Sequence, residues 1–212
     1  RFVAIMANGC CGDANNVDRT KPPVQPARPY ANYRVDRVGA ALAAECRKIW
    51  SQLDRRVGEG TVDAALSTIT YRRRTGAEEE QREVAGGQNA VEQIGTKWPQ
   101  FVGSYANERA EIDRWPVELP TEVQALRIAD LAMVGFPGEF FVEYGLSTKR
   151  HSPFARTMTI ELANDWIGYV PTDAGLAQGG YETWLARSAR VASGAETLFL
   201  DAASDCLARV SE

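Results

Sequence analysis

A chain of 212 residues that is 44% hydrophobic and 25% charged can bury one sizeable core. Its formal net charge of -4 argues against a partner recognised through a phosphate backbone, so no nucleic acid is expected. No window approaches the ~20 apolar residues that span a bilayer, so no transmembrane segment is expected either.

Four cysteines are too few for a disulfide-built scaffold at this size. Cys10 and Cys11 are adjacent, which disfavours a bond between them, and no thioredoxin-like spacing accompanies them. Cys46 and Cys206 fall in helical stretches and read as buried free thiols.

In chain order, residues 2–7 form a continuous apolar run that breaks into Asn8-Gly-Cys-Cys-Gly-Asp13. That pattern suits a strand buried on both faces and followed by a ligand-binding loop. The chain passes from Arg1 straight into this run, so further polypeptide upstream is expected. Pro22, Pro23, Pro26 and Pro29 make 19–29 an extended connection. Over 33–57, Val35, Val38, Leu42, Cys46, Ile49 and Leu53 recur at helical spacing, and Gly58 and Gly60 end the helix.

Residues 65–73 alternate as a strand, with Leu66, Thr68, Thr70 and Arg72 opposite Ser67, Ile69 and Tyr71. The run Arg72-Arg73-Arg74 is balanced by Glu78-Glu79-Glu80 and reads as a solvated strand end and turn. The polar, helix-favouring stretches 77–94 and 99–113 read as a surface insertion over 77–113.

Residues 117–120, 122–128 and 131–134 read as short strands, the last two joined by a tight Ala129-Asp130 turn. Phe136-Pro-Gly-Glu139 leads into an amphipathic helix that runs to about Lys149. A strand is expected over 157–162. A C-terminal helix over 194–210 would align Leu198, Ala202, Cys206 and Val210. Strands and helices interleave, so the class is α/β (or α+β) with a mixed sheet flanked by helices.

Three loops carry polar tips. In the first, Gly12 and its neighbours let backbone approach a ligand closely. Asp13 and Asn15 either meet that ligand or cap backbone groups. In the second, Glu139 is either a stabilising carboxylate in the first turn of a helix or a hard oxygen ligand for Zn²⁺. In the third, Tyr169 and Tyr181 sit among glycines, which supply little packing. Their hydroxyls could serve an oxyanion or a cation, or simply pack. His151 is the only histidine and stands at a helix end. Without a His-x-x-x-His, Cys-x-x-Cys or Gly-x-Ser-x-Gly pattern, any metal site on this chain has an incomplete ligand set.

In order, Gly12-Asp13-Ala14-Asn15-Asn16, Pro137-Gly138-Glu139, Gly168-Tyr169-Val170-Pro171-Thr172 and Tyr181-Glu182 resemble the motifs of the neutral/alkaline non-lysosomal ceramidase family. The two tyrosines are twelve residues apart, as in that family. The resemblance spans nearly the whole chain. It implies that residues 1–212 are a partial catalytic domain, the second half of a larger zinc-hydrolase domain whose upstream half supplies histidine ligands.

By this resemblance Glu139 and Tyr169 are ligands of Zn²⁺. Tyr181 hydrogen-bonds the amide carbonyl, and Gly12 and Asp13 lie against substrate. The family's loop serine falls at Asn15, which cannot act as a nucleophile in the same manner but can position a water or donate to an oxyanion. The implied activity is zinc-dependent cleavage of an N-acyl, sphingolipid-like amide, from a small-molecule or lipid substrate, by a protein exported to the periplasm or beyond. The alternative, motivated by Asn15, is a non-catalytic relative that binds a lipid or sugar.

Overall fold

The computed structural model of the protein describes residues 5–15, 32–53, 59–86 and 102–212. The chain divides into two units, residues 15–60 and residues 1–14 with 61–212. In the smaller unit α1 (Tyr33–Ser51) carries the expected apolar stripe, and Val35, Val38, Leu42 and Ile49 are all exposed along it. Cys46 is exposed as well, which corrects its reading as a buried thiol. Among the described residues of this unit no second element covers the stripe. The helix stops at Ser51, with the Gln52 amide bonded back to the Ile49 carbonyl. Residues 54–58 and the proline-rich 19–29 lie outside the described residues.

The larger unit is built on a four-stranded mixed sheet. Its strands are β1 (Val62–Arg72), β2 (Glu118–Ile128), β3 (Leu131–Gly135) and, beyond a short β4 (Glu139–Phe140), β5 (Arg156–Ile160). The order is β1-β2-β3-β5, antiparallel except for the parallel pair β3 and β5. Period-two alternation fixes the inner face: Ala65 and Tyr71 of β1, Val123 and Ala125 of β2, and Ala132 and Val134 of β3 are buried. The turn joining β2 to β3 is the expected one, with Ala129 at φ 54°.

The strands expected at 117–120 and 122–128 are one continuous β2. Pro120 does not break it, because β3 pairs only with 124–128 and, among the described residues, the first half of β2 has a strand neighbour on one side alone. Residues 5–7 are not the expected buried strand. Ile5 and Met6 are 88% and 78% exposed, and the run meets β5 only at its end, where the Glu161 amide donates to the Asn8 carbonyl. An apolar strand needs cover on both faces, and the described residues of this unit supply none. Residues 1–4 lie outside the described residues.

Among the described residues, five helices complete the unit: α2 (Gly76–Gly86), α3 (Val102–Ile112), α4 (Val142–His151), α5 (Asp173–Gln178) and α6 (Ala195–Ser211). α6 closes the core. Phe199, Ala202, Ala203, Cys206, Leu207 and Val210 bury against the inner face of the sheet. The expected face of this helix is therefore the packed one, with Leu198 partly buried beside it. α4 links β3 to the parallel β5, as a parallel connection requires. No helix among the described residues is long and apolar enough to cross a membrane.

The arginine run at the end of β1 is not solvated as a whole. Arg72 pairs with Glu78 at the surface, whereas Arg73 and Arg74 are only 2% and 5% exposed. Arg73 donates to the Trp115 carbonyl at 2.6 Å and the Pro116 carbonyl at 3.0 Å. Arg74 donates to the carbonyls of Thr183 at 2.9 Å and Ala189 at 2.6 Å, and forms an ion pair with Glu79. Glu79 also receives Arg82 at 2.6 Å. The carbonyls of two distant segments bury these cations, so the charge run alone gave no sign of it. Within the stretch expected as an insertion, Glu79 and Ile112 are fully buried.

Candidate active site

A two-stranded parallel ladder places the central residues. β4 pairs with β6 (Tyr169–Val170), and Glu139 is the direct register partner of Tyr169. The Glu139 amide donates to the Gly168 carbonyl at 2.9 Å, and the Phe141 amide to the Val170 carbonyl at 3.2 Å. Glu139 is therefore a strand residue, which corrects its reading as a first-turn helix residue. Phe141 is still extended, the helix begins at Val142, and its first-turn acid is Glu143.

Beneath the ladder lies a stack of aromatic rings. Phe140 stands 4.6 Å from Phe136, 5.0 Å from Tyr144 and 4.9 Å from Phe199 between centroids. The Tyr144 hydroxyl donates to the Pro171 carbonyl at 3.1 Å, tying α4 to the strand that carries Tyr169.

Close backbone approach explains two of the glycines. Gly168 has φ +80°, and a Cβ there would lie 2.4 Å from the Ser188 carbonyl oxygen. Gly168→Ala is expected to destabilise the protein by roughly 1–3 kcal/mol, measured by urea unfolding. An unchanged midpoint would mean that the 188 loop yields. A Cβ on Gly12 would sit 2.3 Å from the Glu139 carbonyl oxygen, while the Gly12 amide donates to the Phe140 carbonyl at 2.7 Å.

Two aromatic side chains, Trp166 and Tyr169, meet Glu139, and a third, Tyr181, stands against Tyr169. The Trp166 indole N–H donates to Glu139 Oε1 at 3.1 Å. The Tyr169 ring stands edge-on to Tyr181 at 5.8 Å and 90°. Burial, a hydrogen bond to Tyr181, and the charge and hydrogen bond of Glu139 all push the Tyr169 phenol above its ordinary value, so it is neutral at pH 7. Trp166 and Tyr181 are 48% and 45% exposed, too open for core aromatics.

The glycine-rich loop lies against the same end of the sheet, beyond the C-terminal ends of β3 and β5, where open α/β sheets place ligands. The Cys11 amide and thiol donate to the buried Glu161 carboxylate at 3.2 and 2.8 Å. Burial first, then Glu161, pushes the Cys11 thiol up to about 12, and burial pushes Cys10 to about 11. Both are protonated at neutral pH, which disfavours thiolate chemistry. Asp13 accepts from the Val142 amide at 2.8 Å at the start of α4. It also lines a cleft of about 440 Å³ with Glu143, Thr172, Glu182 and Glu196.

The structure thus brings Glu139, Tyr169 and Tyr181 together and lays Gly12 against the Glu139 backbone. Asn15 belongs to the smaller unit. Sequence reasoning passed over Trp166 and Glu161, and weighed Cys11 only as a redox thiol. A tryptophan two residues before a glycine-tyrosine pair was the available signal for the first. Nothing local marks Glu161 or its pairing with Cys11, which spans 150 residues.

No protein-family model matches this chain, nor does any curated protein sequence. Solved structures do match. The crystal structure of neutral ceramidase from Pseudomonas aeruginosa aligns with a TM-score of 0.52 at 19% identity, over 88% of this chain and 35% of that one. The fold is ceramidase-like. A ceramidase complexed with C2 aligns with a TM-score of 0.38 at 22% identity, over 45% of this chain and 15% of that one. The chain spans about a third of the length of the Pseudomonas ceramidase whose fold it shares.

Proposed function

We propose that the complete protein is a metal-dependent hydrolase of the ceramidase type, acting on an N-acyl amide of a small molecule or lipid. The observation that supports this most is the pairing of a carboxylate and a phenol at matching positions of one parallel ladder, with a second phenol against the first. Two hard oxygens side by side suit a dication such as Zn²⁺. Among the described residues no three His, Cys, Asp or Glu side chains form a group that could hold a metal. Glu139 and Tyr169 would therefore supply part of a ligand set, completed by histidines in an upstream half of the same domain. Residues 1–212 would be the second part of that domain, with 77–113 as an insertion, in a protein exported to the periplasm or outside.

When bound, Zn²⁺ supplies Lewis acidity that polarises a carbonyl and makes water a better nucleophile at neutral pH. The chain's own residues do the rest. Glu139 holds negative charge at the site. Tyr181, with an exposed hydroxyl-bearing ring, donates to the carbonyl oxygen as it gains charge. Gly12 and Asp13 border the substrate.

The test is metal analysis with N-acyl amide turnover on the complete protein and on Glu139→Ala. The substitution is expected to remove stoichiometric zinc and lower kcat/KM by at least about 100-fold. Zinc that survives it at full occupancy removes Glu139 from the site.

A further inference from the structure

We propose that Trp166 is a positioning residue for Glu139, an inference that rests on the reading of Glu139 as a metal ligand. A carboxylate on a two-residue strand can rotate about its side-chain bonds, and a ligand that rotates loses affinity for its cation. The Trp166 indole N–H, 3.1 Å from Glu139 Oε1, pins one of its two oxygens. An indole donates and never accepts, so it holds the carboxylate without competing for the cation. The indole itself does not titrate in the range where proteins work, so the donor is present at every such pH.

The surroundings are built to keep the indole there. Its ring is 48% exposed, so burial alone does not account for its place. The Trp166 amide donates to Asp165 Oδ1 at 2.7 Å, and Asp165 Oδ2 accepts from the Thr121 hydroxyl at 2.9 Å. Arg190 donates to the Trp166 carbonyl at 3.3 Å. Just upstream, Leu162 and Asn164 have φ of 57° and 67°, a region that side chains rarely adopt. The next residue, Ile167, is buried, and its amide donates to the Pro137 carbonyl at 2.8 Å, beside Glu139. A strained segment fastened at both ends, presenting an exposed ring to a carboxylate, fits a demand for orientation better than one for packing.

Outer partners of metal ligands typically raise metal affinity by about 10- to 100-fold. The experiment measures zinc dissociation constants on the complete protein by competition with a chromogenic chelator, together with the Tm of the metal-free form. Trp166→Phe keeps a ring and deletes the donor. It is expected to weaken zinc about 10- to 100-fold while the metal-free Tm stays unchanged, and Trp166→His, which returns a ring N–H, should recover part of the loss.

Wild-type zinc affinity in Trp166→Phe, alongside its loss in Glu139→Ala, overturns the role of Trp166 and leaves the function intact. Wild-type affinity in Glu139→Ala overturns both. A lowered metal-free Tm in Trp166→Phe that His does not relieve assigns the residue to packing and also overturns the proposal.

Discussion

Replacing Glu79 by Gln is expected to destabilise the protein by about 3–5 kcal/mol, the usual result of stranding one member of a buried ion pair. Glu79 is fully buried, and Arg74, only 5% exposed, would keep its charge with neutral carbonyls as its remaining partners. At this chain length the loss corresponds to a Tm lower by roughly 6–20 °C. Replacing both residues, as Arg74→Met with Glu79→Leu, should destabilise far less, because no charge is then stranded.

Acid should remove the same contribution. Burial pushes the Glu79 carboxyl up, but the hydrogen bond from Arg82 and the charges of Arg74, Arg82 and Arg109 outweigh it and leave it below its ordinary value. A carboxylate depressed in the folded state stabilises fully above its unfolded pKa of about 4.3, and that stability drains away as pH falls through the folded value. The gap between wild type and Glu79→Gln should therefore narrow below about pH 4. A Tm within about 2 °C of wild type at pH 7 would show that Arg74 reaches water and that the pair is dispensable.

Phe140→Ala should be comparably severe, at about 3–5 kcal/mol by urea unfolding. Its ring is fully buried and contacts Phe136, Tyr144 and Phe199. These rings come from the segment before β4, from α4 and from α6, so a cavity there loosens three elements at once. Phe140 also occupies the ladder position next to Glu139. Near-ultraviolet circular dichroism should lose intensity along with stability, since the aromatic stack no longer holds one arrangement. A loss below about 1 kcal/mol would mean that the three remaining rings close over the gap.

Elements ruled by local periodicity were legible in the sequence. The alternation of β1, the Ala129-Asp130 turn and the packed face of α6 follow from residues near one another in the chain. The convergence of Glu139 and Tyr169 was legible only through the order of several short motifs, since neither residue is distinctive alone. Where the sequence misled, a distant partner decided the outcome. Arg73 and Arg74 are buried by carbonyls of segments 113–116 and 183–191, and Pro120 is tolerated because β3 is shorter than β2. Glu139 leaves the helix start for a strand because Tyr169, thirty residues on, offers it a ladder. The Cys11–Glu161 pair lay beyond any local pattern for the same reason.

The two-residue ladder has a further consequence for how this region could diversify. The separation of Glu139 and Tyr169 is set by the distance between paired strands, about 4.8 Å, and not by the polypeptide that runs from one to the other. Lengthening or remodelling the surface turns of that intervening stretch would leave the carboxylate and the phenol abreast, so long as the Glu139 and Phe141 amides keep their bonds to the Gly168 and Val170 carbonyls. New contacts with a substrate could thus be added around an unchanged pair of oxygens.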